Sequence, residues 1–197
     1  PNYAVLDNIK PQTILKGDKG KRIICLANLR PDKDHLNLLK AFRLILNVFD
    51  DWTLHMVGKD YGDDYSKSIH TFIATNQLYN KVFIYGSKED IGNILKQSDI
   101  AVLSSKSEGL PIALLEYGLA SLPTVVTNVG NCNHVISNKN EGILVPSKNT
   151  NALSLAIIYY IKNIEVAINS GKKLNKKVKK EFGVNKVMRI ILKIYNK

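Results

Sequence analysis

The sequence predicts an α/β domain, a parallel sheet of about six strands with helices on both faces. Three observations predict it. Strand-like and helix-like segments alternate along the chain. Most of the strand segments are continuous apolar runs, the pattern of strands buried on both faces. Hydrophobic residues make up 45% of the 197 positions, with no excess of glycine or proline, which suits one packed core of ordinary size.

Residues 22–27 (RIICLA) read as the first buried strand. Residues 34–49 follow as an amphipathic helix, because Leu38, Phe42, Ile45 and Phe49 recur at helical spacing. Residues 52–58 (WTLHMVG) form a second strand and 64–78 a second helix. Residues 81–85 (KVFIY) form a third strand closed by Gly86, and 88–97 a short helix. Residues 99–103 (DIAVL) form a fourth strand. Residues 111–119 are a helix with proline in its first turn, where a missing N–H does no harm. Residues 123–127 and 142–145 are the fifth and sixth strands, and 150–168 and 174–195 the closing helices. Residues 1–21 read as a linker or edge segment, 22–170 as the Rossmann-like domain, and 171–197 as a basic helix that packs on it or reaches a partner domain.

Composition narrows the function classes. The net charge is +11, and residues 171–197 hold ten Lys or Arg against one acid, Glu181. Such a run is most simply a solvated helix face, with attraction to an anionic membrane surface as the functional reading. An aromatic stacking platform and a helix-turn-helix pattern are both missing, so nucleic acid is not an expected partner. The start of the chain lacks a basic stretch followed by an apolar one, so no secretion signal is read there. Pro1 in place of Met suggests a piece of a longer protein. Cys25 lies in an apolar run and Cys132 in a polar loop; without metal-ligand spacing, they fit a reducing cytoplasm.

In an open sheet of this kind, ligands bind beyond the carboxyl ends of the strands where strand order reverses, here between the first and fourth strands. The turn after the first strand reads Asn28-Leu29-Arg30-Pro31-Asp32-Lys33-Asp34-His35. Arg30 offers a planar fork and Lys33 a mobile point charge to diphosphate oxygens; two solvated turn residues are the plainer alternative. The loop after the fourth strand runs from Ser104 to Pro111. Gly109 lets backbone approach a ligand, and the helix-start N–H groups around Ile112 to Leu114 can receive phosphate. Glu116 stands in an apolar run and needs a partner if buried, which ribose hydroxyls would supply; an exposed helix position is the alternative. Glu108 either meets the ligand or stabilises the helix start.

Residues 98–105, then Glu108-Gly109-Leu110-Pro111 up to Glu116, with seven residues between the two glutamates, resemble the C-terminal, donor-binding domain of GT-B glycosyltransferases, in particular retaining family 4. Residues 118–130 match that family's following turn and strand, and 26–35 its phosphate-binding turn. The resemblance covers about residues 22–169. It implies that Glu116 binds the donor ribose and Glu108 lies close to the donor sugar. It implies that backbone of Gly109, Leu110, Pro111 and Ile112 lies near sugar and diphosphate, that Arg30 and Lys33 hold the diphosphate, and that Gly86 to Lys88 border the base. Arg30, Lys33 and Glu108 are then the residues assigned to catalysis. The implied donor is a nucleotide-diphosphate sugar, with no cofactor, no divalent metal and a retaining outcome. The implied partner is an acceptor-binding domain N-terminal to this one, and the implied role is polysaccharide, lipopolysaccharide or other glycoconjugate synthesis.

Three positions depart from the family pattern: Asn28 stands where Arg is frequent, Gly130-Asn131 replaces Gly-Gly, and His134 or a neighbour replaces an acidic residue. Asp32-Lys33-Asp34 has the Asp-x-Asp spacing of metal-dependent transferases of another fold, but before a helix it reads as two solvated carboxylates. Two rival readings share these residues. A sugar-nucleotide epimerase would keep much of the donor pocket, whereas a phosphorylase using pyridoxal phosphate would need a cofactor lysine for which there is no local signature. A non-catalytic, membrane-associated nucleotide-binding module would act through the tail, with Leu174, Val178, Phe182, Val187, Ile190, Ile191 and Ile194 as an apolar stripe.

Overall fold

A computed structural model describes residues 3–6 and 9–183. Six strands and seven helices alternate within them: β1 (Arg22–Leu26), α1 (His35–Leu46), β2 (Thr53–Val57), α2 (Asp64–Thr75), β3 (Val82–Ile84), α3 (Ile91–Lys96), β4 (Ile100–Leu103), α4 (Ile112–Leu119), β5 (Thr124–Thr127), α5 (Cys132–Val135), β6 (Ile143–Val145), α6 (Thr150–Lys162) and α7 (Ile164–Glu181). The strands pair in parallel in the order β3-β2-β1-β4-β5-β6. The order in which strands are added to the sheet therefore reverses between β1 and β4, as the alternation predicts.

Both sheet faces are covered, which is why the strands read as unbroken apolar runs. Ile23 and Cys25 of β1 point into one layer with Leu38, Phe42, Ile45 and Tyr160. Ile24 and Leu26 point into the other with Leu114, Tyr117, Leu174 and Val178. Burying a Leu, Ile or Phe side chain contributes about 1.5–3 kcal/mol, so these two layers supply the main driving force for folding.

The strands part at the reversal. β1 pairs with β2 over five residues, but with β4 only at Ile23–Ile100 and Ile24–Ala101. Beyond that point the fully buried Tyr117 bridges the split: the Leu26 N–H donates to its hydroxyl at 2.6 Å, and the hydroxyl donates to the Val102 carbonyl at 3.2 Å. A helix side chain thus satisfies the backbone groups that a continuous ladder would have used.

Four expectations need correction. Cys132 is not in a polar loop: it opens the one-turn helix α5 and is completely buried. The first three helices are shorter than their apolar patterns, α1 ending at Leu46, α2 at Thr75 and α3 starting at Ile91. The closing helices meet at Asn163, where they bend by 104°, so α7 begins ten residues before position 174 and runs across the boundary drawn at 170. The described residues before β1 form no strand, yet Thr13 and Leu15 are buried, and the Asp90 carboxylate accepts both the Thr13 N–H at 2.7 Å and the Thr13 hydroxyl at 2.8 Å.

The described half of the C-terminal apolar stripe packs on the domain. Leu174 and Val178 are buried against α4, where Gly118 leaves room for Val178. Val187, Ile190, Ile191 and Ile194 lie outside the described residues. Among the described residues, no single helix is long and apolar enough to cross a membrane.

Candidate functional site

Two loops leave the carboxyl ends of β1 and β4 on either side of the reversal, and they are fastened together. After β1 the chain makes a 3-10 turn, Pro31–Lys33, and Asp34 takes a left-handed conformation (φ 51°) that starts α1. The Ser104 hydroxyl donates to the Lys33 carbonyl at 2.9 Å, and the Lys106 N–H donates to the Asp32 carbonyl at 2.7 Å. The Lys106 ammonium lies 3.3 Å from the Asp34 carboxylate. The turn is therefore tied to the β4 loop by these contacts.

At the centre of this joint Lys33 meets Glu108. The ammonium donates to Glu108 Oε1 at 2.8 Å, and the hydroxyl of the fully buried Ser105 donates to the same oxygen at 2.6 Å. Only 7% of the Glu108 side chain and 21% of the Lys33 side chain are exposed, so this is a semi-buried ion pair, far less screened than a surface one. Asp32 lies 3.4 Å from the Lys33 ammonium. Arg30 does not join the group: its side chain is 58% exposed and lies 3.4 Å from Asp32. Both carboxylates of the Asp-x-Asp stretch are thus occupied by cations, and among the described residues there is no cluster of three His, Cys, Asp or Glu that could hold a metal.

The loop after β5 closes the joint from the other side. Gly130 adopts φ 53°, and a Cβ there would overlap the Glu108 carbonyl oxygen. The Asn131 N–H donates to the Gly109 carbonyl at 3.0 Å, and the Thr127 hydroxyl to the Ser105 carbonyl at 2.7 Å. His134 is exposed on α5. Cys25 and Cys132 are free thiols, pushed up to about 12 and about 11 by burial, so neither is a thiolate nucleophile.

Beside the joint lies a cavity of ≈ 320 Å³ lined by Ala27, Asn28, Gly58, Lys88, Ala113 and Glu116 among others. It opens at the carboxyl ends of β1 and β2, between the loop after β3 and α4. Gly58 is necessary here, because a Cβ would overlap the Ala27 carbonyl oxygen. The Asn28 side chain is directed to the loop after β2, its carbonyl accepting the Lys59 N–H at 2.8 Å. Glu116 is half-buried on α4, whose start at Pro111 has no side-chain cap. The first N–H groups of α4, from Ile112 on, follow directly on the Glu108-Gly109-Leu110 loop. Gly86 turns the chain at φ 66°, its carbonyl accepting the Gly58 N–H at 3.0 Å, and places exposed Lys88 on the rim.

The structure thus brings Lys33 to Glu108, and Asn28 and Lys88 to Glu116, at one end of the sheet, and leaves Arg30 at the margin. Sequence reasoning missed Ser105 and Gly58 as parts of this site. A signal for Ser105 was available: two serines directly follow an apolar strand, where a buried hydroxyl needs a partner.

The model of the family described as glycosyl transferases group 1 matches residues 7–181. An Escherichia coli UDP-Gal:alpha-D-GlcNAc-diphosphoundecaprenol alpha-1,3-galactosyltransferase is 29% identical over 170 residues, covering 80% of this chain and 43% of the relative. A Bacillus anthracis N-acetyl-alpha-D-glucosaminyl L-malate synthase is 25% identical, covering 85% of this chain and again 43% of the relative. The chain therefore spans less than half the length of these curated relatives. Among solved structures, a glycosyltransferase from Rickettsia africae superposes with a TM-score of 0.83 at 26% identity, over 90% of this chain and 48% of that one. An Anabaena HepE in complex with UDP and glucose superposes with a TM-score of 0.85 at 20% identity, over 90% of this chain and 48% of that one.

Proposed function

The chain belongs to the group 1 glycosyl transferases, and from that premise we propose that it forms the donor-binding part of a retaining, metal-independent enzyme that transfers a sugar from a nucleotide-diphosphate sugar to a glycoconjugate acceptor. The observation that carries this reading is the Lys33–Glu108 contact, which joins the basic turn after β1 to the loop and helix bearing Glu116. In the proposal, Glu116 takes the ribose hydroxyls, Gly86 to Lys88 border the base, and Lys33 with the first N–H groups of α4 faces the diphosphate. Glu108 and backbone of Gly109, Leu110 and Pro111 border the sugar. The E. coli relative's name specifies a UDP-sugar donor and a lipid-diphosphate-linked acceptor, which supports uracil as the base and a membrane-borne glycan as the acceptor class.

The chemistry follows from charge. As the anomeric bond to the diphosphate lengthens, negative charge grows on the phosphate oxygens. A fixed ammonium and the uncapped N–H groups of α4 stabilise that charge more than they stabilise the ground state. Because the chain spans less than half the length of its curated relatives, the proposal assigns the acceptor side to a further domain, and the 197-residue protein should bind donor without transferring sugar.

Saturation-transfer NMR with UDP, GDP, ADP and their glucose derivatives tests the donor site. UDP and UDP-glucose should give ribose signals that Glu116→Ala removes. Binding of none of them, or ribose signals indifferent to Glu116→Ala, would refute the assignment.

A further inference from the structure

Lys33 and Glu108 neutralise one another across the joint. A carboxylate only accepts, and among the described residues the two side-chain donors to Glu108, the Lys33 ammonium and the Ser105 hydroxyl, both sit on Oε1. A diphosphate that draws Lys33 away therefore removes one of these two donors from a side chain that is 7% exposed. Leaving such a charge short of partners is costly. A ligand avoids that cost only if it brings hydroxyl groups of its own to Glu108.

We propose that Glu108 makes the site discriminate between a sugar-bearing nucleotide and the bare nucleoside diphosphate, by exchanging Lys33 for sugar hydroxyls. This rests on the donor-site reading above and goes beyond it. With a sugar nucleotide, Lys33 turns to the diphosphate and the sugar hydroxyls donate to Glu108, so every group stays paired. With the bare diphosphate, Lys33 must choose. The bare ligand's terminal phosphate also carries more negative charge than an esterified one, and Glu108 repels it more strongly. After transfer the sugar is gone, Glu108 reclaims Lys33, and the nucleoside diphosphate is released. Ser105, held by the Thr127 hydroxyl through its carbonyl, keeps Glu108 at the junction in both states.

The test measures dissociation constants of UDP, UDP-glucose and UDP-galactose for the 197-residue chain by protein-observed NMR titration. Glu108→Gln keeps the shape and an acceptor for Ser105 but releases Lys33. UDP should then bind about tenfold tighter, while the sugar nucleotides gain less than UDP. In a Lys33→Met background the same change should alter UDP affinity less than about twofold. Spectra of each variant report whether it is folded, and Glu108→Ala, which also frees Lys33, should shift UDP in the same direction. Unchanged or weaker UDP binding in folded Glu108→Gln overturns the exchange, as does an equal gain for the sugar nucleotides. Failure of all three ligands to bind the unaltered chain sinks the donor-site reading itself, and the exchange with it.

Discussion

At the scale of single residues, the two cations of the β1 turn separate in a way their spacing does not show. Lys33 lies at the joint with 21% of its side chain exposed, whereas Arg30 is 58% exposed and, among the described residues, pairs with Asp32. Electrostatic stabilisation scales inversely with the local dielectric, so the half-buried cation acts more strongly on a developing phosphate charge. In initial-rate assays of an intact enzyme carrying this chain, Lys33→Ala should lower transfer by on the order of 10²-fold, as loss of one such donor typically does. Arg30→Ala should cost only a few-fold, because an exposed ion pair contributes little. Equal losses would mean that Arg30 swings inward when donor binds. The sequence could place both cations at the correct end of the sheet, since that follows from topology alone. It could not rank them, because the ranking depends on Glu108, seventy-five positions away in the chain.

At the scale of elements, the contact between α4 and α7 fixes the helix that carries Glu116. Two glycines allow it: a Cβ on Gly118 would stand 2.5 Å from Val178 Cγ2, and one on Gly171 would overlap the Ser121 carbonyl oxygen. Gly171→Ala sets two effects against each other. Alanine gains about 1 kcal/mol of helix propensity over glycine. The overlap is with backbone, which cannot rotate away, and overpacking of that kind costs about 1–3 kcal/mol. The net should be a loss of stability, read as a lower urea midpoint with an unchanged m-value; a stabilised variant would show that α7 slides freely on α4. The strands were legible in the sequence because double-faced burial writes itself as unbroken apolar runs. α5 was not, since one turn offers only Cys132 and Val135 at helical spacing among polar neighbours. The break at Asn163 was also hidden: Gly and Pro are absent there, and the apolar positions continue on both sides. Burial of Thr13 and Leu15 escaped notice because they follow no period and are held by Asp90 and Gln97 from distant parts of the chain.

At the scale of the whole molecule, buried histidines make stability depend on pH in a stated direction. His35 opens α1 directly after the basic turn; among the described residues neither ring nitrogen has a hydrogen-bond partner, and burial drives its pKa down to about 4, with the nearby Ala27 carbonyl opposing the shift. His55 on β2 is also lowered to about 4, first by burial and then by the charge of Arg22. Unfolded, each titrates near pH 6.5. Between pH 6.5 and about 4 the unfolded chain therefore takes up protons that the folded chain refuses, and stability falls as pH drops through that window. Below about 4 both states are protonated at these sites and the histidines take away nothing further. The carboxylates act next. Asp60 is lowered to about 2, chiefly by its hydrogen bond with His70. At Asp90, burial pushes upward, but the Thr13 and Gln12 N–H groups and the Thr13 hydroxyl outweigh it and hold the group below the usual carboxylate range. Their contribution is complete above about pH 4 and is lost as pH falls through the folded values. Urea midpoints should accordingly be level above pH 7, decline from pH 6.5 to 4.5, and steepen below 4. His35→Leu removes both unpartnered nitrogens, so it should flatten the upper part of that decline; a midpoint level from pH 7.5 to 4.5 in the unaltered chain would mean that water reaches the rings. Because His35 is continuous with the turn that presents Lys33, loosening it should disorder one wall of the proposed donor site, so nucleotide affinity should weaken over the same pH range.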